Sequence, residues 1–194
     1  MMEAGELIDM DEVVALLRDR PQGLVAIDGL PVSGKSTLAD RLEAELGTRI
    51  LYLDDFVLPE SQWRGVAKPA FPFPYMRYDE FSQAVMALAR GEAARYRGYD
   101  WATGRLADSW TEIEPNGLTV VEGVSALNPE LAPLYDLRLW VESDAASTLA
   151  ASLARGVGDW EREWRELFMP SVERYMQSQP QSRADYRVKG RGVA

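Results

Sequence analysis

Residues 28–40 read DGLPVSGKSTLAD, with the chain's one glycine-turn lysine at position 35. Gly29 to Ser36, GLPVSGKS, satisfies the pattern G-x-x-x-x-G-K-[ST] in full. Glycines in such a loop let the backbone wrap so that amides face phosphate oxygens, and the helix that follows adds positive potential. On this reading Gly29, Val32, Ser33, Gly34, Lys35, Ser36 and Thr37 form a nucleotide-phosphate cradle. Lys35 meets the β- and γ-phosphates, and the Ser36 hydroxyl completes a magnesium shell. A glycine turn that merely joins a strand to a helix is the rival reading. The apolar GLVAI before the loop and the helical KSTLADRLEAEL after it supply the flanks that a phosphate loop needs.

Three acids extend the chemistry. Asp54 and Asp55 close TRILYLDDF, read as a strand ending in two carboxylates, where a carboxylate can take a proton from a substrate hydroxyl. Capping of the turn is the structural alternative for this pair. Glu122 closes TVVEG, an apolar strand ending in one acid and a glycine, a placement suited to magnesium. Arg155, Arg162 and Arg165 lie on or between two late helices, where they either neutralise a transferring phosphate from a lid or pair with Glu161, Glu163 and Glu166.

Composition narrows the rest. The 194 residues hold no cysteine and no histidine, which excludes disulfides, thiolate catalysis and the commonest general base. Acid–base work therefore falls to Asp, Glu, Lys or Tyr. A net charge of -10 disfavours nucleic-acid backbones and favours small-molecule partners. The amphipathic, acidic start lacks the features of a secretory signal, and no apolar run is long enough to cross a bilayer, so a cytoplasmic location with no membrane partner is expected.

Those residues need strands and helices to hold them. One domain is expected over 1–194, with 57–110 as a substrate-side insertion and a lid near 155–170. Ile8, Val13, Val14, Leu16 and Leu17 suggest a short helix around 9–18, started by Asp9 or Asp11. GLVAID, TRILYLDDF, LTVVEGV and DLRLWVES read as strands, and ADYRV as a last short one. KSTLADRLEAELG, YDEFSQAVMALARGE and DAASTLAASLARG read as helices, and DWEREWRELFMPSVERYM as a charged helical stretch around Pro170. Residues 57–74 show no period, and YRGYDWATGRLADSWTEIEPNG suits a hairpin or loop. This alternation predicts an α/β fold of three layers, a P-loop NTPase sheet flanked by helices, with its ligands beyond the strand C-termini.

The chain resembles the uridine kinase and phosphoribulokinase branch of P-loop kinases, which includes the nicotinamide riboside kinases. The resemblance rests on GLPVSGKSTLA, LDDFVLPES, YDEF, YDWATGR, VVEGVSAL, DLRLWVESDA and ADYRV, spread over nearly the whole sequence. It implies ATP and Mg2+ as cofactors, Asp54 as the base, Glu122 as the magnesium-associated acid and Asp79 as the holder of ribose hydroxyls. It also places Tyr99, Trp101 and Arg105 near the substrate and aligns Arg155 with a lid arginine. Gly104 stands where uridine kinases carry a pyrimidine-reading histidine, so the acceptor stays open between pyrimidine nucleosides, nicotinamide riboside and others.

The expected activity is transfer of the γ-phosphate of ATP to a hydroxyl of a small ribosyl compound, with oligomerisation left open. Two rivals remain at this point: a nucleotide-binding regulatory ATPase that has no metabolite acceptor, and a nucleotide-binding fold that has lost catalysis.

Overall fold

Alternation along the central strands sends apolar side chains into two separate cores. The computed structural model describes residues 5–144, 151 and 160–193. Within it run β1 (Glu6–Ile8), α1 (Met10–Arg18), β2 (Gly23–Gly29), α2 (Lys35–Leu46), β3 (Arg49–Tyr52), α3 (Glu60–Trp63) and α4 (Tyr78–Ala89). They are followed by β4 (Ala94–Tyr96), β5 (Tyr99–Asp100), β6 (Arg105–Leu106), β7 (Thr111–Ile113), β8 (Leu118–Glu122), β9 (Leu137–Glu142), α5 (Met169–Met176) and β10 (Tyr186–Lys189).

In β2, Leu24 and Ala26 join one cluster with α4 and α5, while Val25 and Ile27 join another with α1 and α2. In β8, Val121 takes the first side and Val120 the second. A strand covered on both faces has to be apolar throughout, which explains the unbroken GLVAI and LTVV runs. The outcome is a six-stranded parallel sheet in the order β1-β10-β9-β2-β8-β3, with helices on both faces, the three-layer α/β arrangement expected from the sequence. Leu38 and Leu42 of α2 are fully buried, and truncating either to Ala costs about 2–5 kcal/mol.

The sheet register sets the site. Glu122 pairs with Ile27 on one side and with Tyr52 on the other, so β8 and β3 end at the same level while β2 runs two residues further, to Gly29, beside β9. Everything that follows these three residues opens onto one edge of the sheet. The insertion between β3 and β8 holds α3, α4 and two small antiparallel ribbons, β4–β7 and β5–β6, in the stretch read as a hairpin or loop.

Four local expectations change. Ile8 belongs to edge strand β1, not to the first helix, because Asp9 caps α1 through a reciprocal capping box with Glu12 and the helix starts at Met10. Strand β3 ends at Tyr52, and Asp54 and Asp55 lie on a 3-10 turn, Leu53–Phe56, not on the strand. The segment 57–74, expected to be irregular, contains α3, whose Trp63 is fully buried. The charged stretch around Pro170 is one helical run whose Trp164–Phe168 portion widens to π-helix just before α5. Pro170 lacks the amide that would close the turn onto Glu166, which favours this local widening. The expected helix DAASTLAASLARG and Arg155 lie outside the described residues, apart from helical Ala151 and the leading Asp144.

Candidate active site

The phosphate loop is held from behind by backbone contacts that leave no room for side chains. A Cβ at Gly29 would lie 2.6 Å from the Val141 carbonyl oxygen and 2.9 Å from Ser33 Oγ. Gly34 starts α2 with φ at 113°, and Val32 also has positive φ, so the loop curls tightly before the helix begins. Lys35 is buried and its Nζ donates to the Leu30 carbonyl at 2.8 Å, which folds the ammonium back over its own loop.

The C-terminal segment completes this support, and sequence reasoning missed it. The Arg191 amide donates to the Ser33 carbonyl at 2.9 Å, and its Nε donates to the Val32 carbonyl at 3.1 Å. A side chain at Gly190 would collide with the carbonyls of Ser33 and Glu142. Only the glycine lets the strand end press against the loop.

A cavity of about 950 Å³ opens at the C-terminal ends of β2, β8 and β3. It is lined by Pro31 to Thr37, Asp54, Glu122 and Arg191 together with Phe73, Tyr75, Trp101, Trp160, Trp164 and Phe168. The structure therefore brings together Val32, Ser33, Gly34, Lys35, Ser36, Thr37, Asp54, Glu122 and Trp101 from the residues singled out by sequence, with Gly29 directly behind them. The three remaining acceptor-side residues, Asp79, Tyr99 and Arg105, do not line it. Asp79 is exposed at the start of α4 and lines a neighbouring depression that shares Phe73 and Met76 with the cavity. Tyr99 is buried beneath Trp101, with ring centroids 5.0 Å apart, and its hydroxyl has no hydrogen-bond partner among the described residues. Arg105 is exposed on β6. Arg162 and Arg165 pair with Glu166 and Glu161 on the exposed face of their helix, the ion-pair reading rather than the phosphate one.

The 3-10 turn separates the two neighbouring aspartates. Asp54 faces the cavity, whereas Asp55 accepts a 2.9 Å hydrogen bond from the Tyr96 hydroxyl of β4. Burial raises the Asp55 carboxyl above the ordinary carboxylate range, with the Tyr96 bond opposing the rise. Asp55 ties the insertion to the sheet, and Asp54 is the one presented to a ligand.

Glu122 is 5% exposed, and burial pushes its carboxyl up to about 7. Lys35 pulls it down, while Asp54, Asp28 and Asp40 push it further up. Such a carboxyl, among acids and in one cavity with Ser36 of the loop, is suited to a cation that offsets the shared negative charge. Among the described residues no group of three or more Asp or Glu side chains forms a metal cage. That donor set fits Mg2+, which keeps waters and is held through one or two carboxylates together with phosphate oxygens.

The aromatic wall is assembled from distant segments. Trp101 of the insertion lies 5.6 Å from Trp160, Trp160 meets the buried Trp63 edge-on at 5.4 Å, and Tyr75 meets Phe168 at 4.5 Å. Trp160 Nε1 donates to Glu60 at 3.2 Å, and Glu60 pairs in turn with Arg64. Among the described residues the buried Nε1 of Trp164 has no hydrogen-bond partner. Residue types along the sequence identify Trp101 here; the parts played by Glu60, Trp160 and Trp164 depend on contacts across about a hundred residues, such as Trp160 to Glu60.

Asp28, the last residue before the loop, was given no role by its sequence context. It is fully buried, and its Oδ1 accepts from the amides of Gly29 at 2.6 Å and Ser125 at 3.1 Å. Its Oδ2 accepts from the Leu127 amide at 2.8 Å and the Tyr175 hydroxyl at 2.6 Å. Burial raises this carboxyl, against the pull of these four hydrogen bonds.

No family model matches the chain. A uridine kinase of Clostridium perfringens (strain SM101 / Type A) is 21% identical over 142 residues, covering 70% of this chain and 68% of that relative. The uridine kinase of C. perfringens strain 13 is 22% identical over the same length and with the same coverage. Among solved structures, one described as a possible uridine kinase from Bacillus stearothermophilus has a TM-score of 0.68 at 18% identity, covering 92% of this chain and 96% of its own. The phosphoribulokinase from Rhodobacter spheroides has a TM-score of 0.57 at 17% identity, covering 87% and 71%. In sequence and in its three-layer P-loop fold, the chain resembles the uridine kinase and phosphoribulokinase-like P-loop kinases.

Proposed function

We propose that the protein is an ATP- and Mg2+-dependent kinase that transfers the γ-phosphate to a hydroxyl of a small nucleoside-like compound. The observation that carries this reading is a single cavity lined together by the phosphate loop, Asp54, Glu122 and a set of aromatic side chains. A regulatory ATPase needs to admit only water beside its nucleotide. A chamber lined by Phe73, Tyr75, Trp101, Trp160 and Trp164 instead suits a flat organic group.

In this mechanism the loop amides and Lys35 hold the donor's phosphates, and Lys35 turns from the Leu30 carbonyl toward the β- and γ-oxygens. Ser36 and Glu122 would hold Mg2+, which supplies neutralisation of phosphate charge. Asp54 accepts the proton of the attacking hydroxyl. The aromatic wall positions the acceptor and keeps bulk water from competing for the phosphoryl group. Asp79, Tyr99 and Arg105 remain in this reading as acceptor-side residues outside the cavity lining, and Arg155 as a lid cation. Transfer is largely a matter of positioning and charge compensation, which this set of groups supplies without histidine or cysteine.

The test is a screen for ADP release by the purified protein with MgATP and nucleosides, nicotinamide riboside, pantothenate or sugars. A nucleoside-like acceptor should raise ADP release well above background. If no hydroxyl compound does so, the kinase reading fails; a rise caused only by a protein partner would point to the switch.

A further inference from the structure

Asp28 has no part in the chemistry above, yet it touches three structures that a reaction would have to coordinate. Its Oδ1 binds the first amide of the phosphate loop and the Ser125 amide, in the turn that leaves Glu122. Its Oδ2 binds the Leu127 amide and the Tyr175 hydroxyl. The carboxylate has four donors in a fully buried position, so a displacement of any one leaves a buried polar group without its partner. Motion at Gly29 is therefore shared with Tyr175.

Tyr175 stands on α5, in the helical run that begins at Glu161 and carries Trp164, Phe168 and Val172 into the cavity wall. The run holds the π-widened turn and Pro170, so ring packing carries the link to the wall. Tyr175 meets Phe73 at 6.3 Å, Phe73 stacks on Tyr75 at 5.4 Å, and Tyr75 meets Phe168 at 4.5 Å. Phe168 in turn lies 5.8 Å from Trp160 and 6.0 Å from Trp164. Tyr78 offers a built-in comparison: its hydroxyl bonds Ser125 Oγ at 3.0 Å and accepts from Asn128 at 2.9 Å, but it belongs to α4 and makes no bond to Asp28.

We propose that Asp28 and Tyr175 form a positioning pair that couples nucleotide occupancy of the phosphate loop to the aromatic wall carrying Trp160 and Trp164. The coupling rests on the reading of residues 29–37 as the nucleotide site, and it is reciprocal: a ligand seated against the wall tightens nucleotide binding by the same factor.

MgADP is the probe. Its affinity is measured by calorimetry, and the wall is read by tryptophan fluorescence, with Trp160→Phe and Trp164→Phe variants assigning the signal. MgADP should change the fluorescence of the wild-type protein. Tyr175→Phe should bind MgADP within about threefold of wild type yet lose most of the fluorescence change, and Tyr78→Phe should keep it. A generic loss of a buried hydroxyl would affect both tyrosine variants alike. Hydrogen exchange on the wild-type protein gives a reading that needs no variant: MgADP should slow exchange in 169–176. An unchanged response in Tyr175→Phe, equal losses in both variants, or no effect of MgADP on either the tryptophans or 169–176 would overturn the coupling. Failure of the wild-type protein to bind MgADP at all would instead overturn the nucleotide-site reading, and the coupling with it.

Discussion

Glu122 lies directly opposite Tyr52 in the parallel β3–β8 register. Because Asp54 follows Tyr52 by two residues on a 3-10 turn, the two acids reach the same end of the sheet from neighbouring strands. Ile27, opposite Glu122 on the other side, brings the phosphate loop to that level as well. This arrangement gives each group a separable role.

Asp54→Asn keeps the side chain's shape and removes its basicity. Turnover with the acceptor found by the screen should fall by about 10²–10⁴-fold, while calorimetric MgATP affinity stays near wild type. Near-normal turnover would remove Asp54 from the role of base.

Lys35→Met should weaken MgATP binding by at least tenfold, because the ammonium contributes a charge-assisted contact to the phosphates. The same variant should melt close to wild type: among the described residues Lys35 hydrogen-bonds the Leu30 carbonyl, and Glu122, which loses the pull of the ammonium, can stay protonated. Unimpaired MgATP affinity would show that the ammonium does not leave that carbonyl for the nucleotide.

Gly190→Ala probes the support behind the loop. The added methyl meets two backbone carbonyls that cannot rotate away, so strand β10 or the loop must shift. The expected cost is about 1–3 kcal/mol of stability, together with weaker nucleotide binding. A variant with wild-type melting temperature and nucleotide affinity would argue that the C-terminal segment does not shape the loop.

Glu122 gives a pH signature in the ligand-free protein. Its folded carboxyl lies at about 7, above the ordinary 4.5, so the folded state favours the protonated form. The resulting stabilisation is full below pH 4.5 and is lost as pH rises through 7. Glu122→Gln has no such loss, so its melting temperature should gain on wild type between pH 5 and 8, by an amount corresponding to about 3 kcal/mol. A constant difference across that range would mean that Glu122 is not held protonated by its surroundings.

The sequence by itself determined the donor end of the site. The phosphate-loop pattern is local, and its strand and helix flanks are legible because both-face burial demands continuous apolar runs and α2 repeats leucine every four residues. Asp54 and Glu122 were legible for the same reason, as acids just beyond apolar strands. Their convergence, the turn that directs Asp55 to Tyr96, and the placement of Asp79, Tyr99 and Arg105 outside the cavity lining depended on strand register and on the folding of the insertion. Only the tertiary structure decided the rest: Trp160 against Glu60, Arg191 against Val32 and Tyr175 against Asp28. These pairs are 100 to 159 residues apart. No periodicity along a chain encodes a contact at that separation; it forms only when the sheet and its helices have brought the partners to one edge.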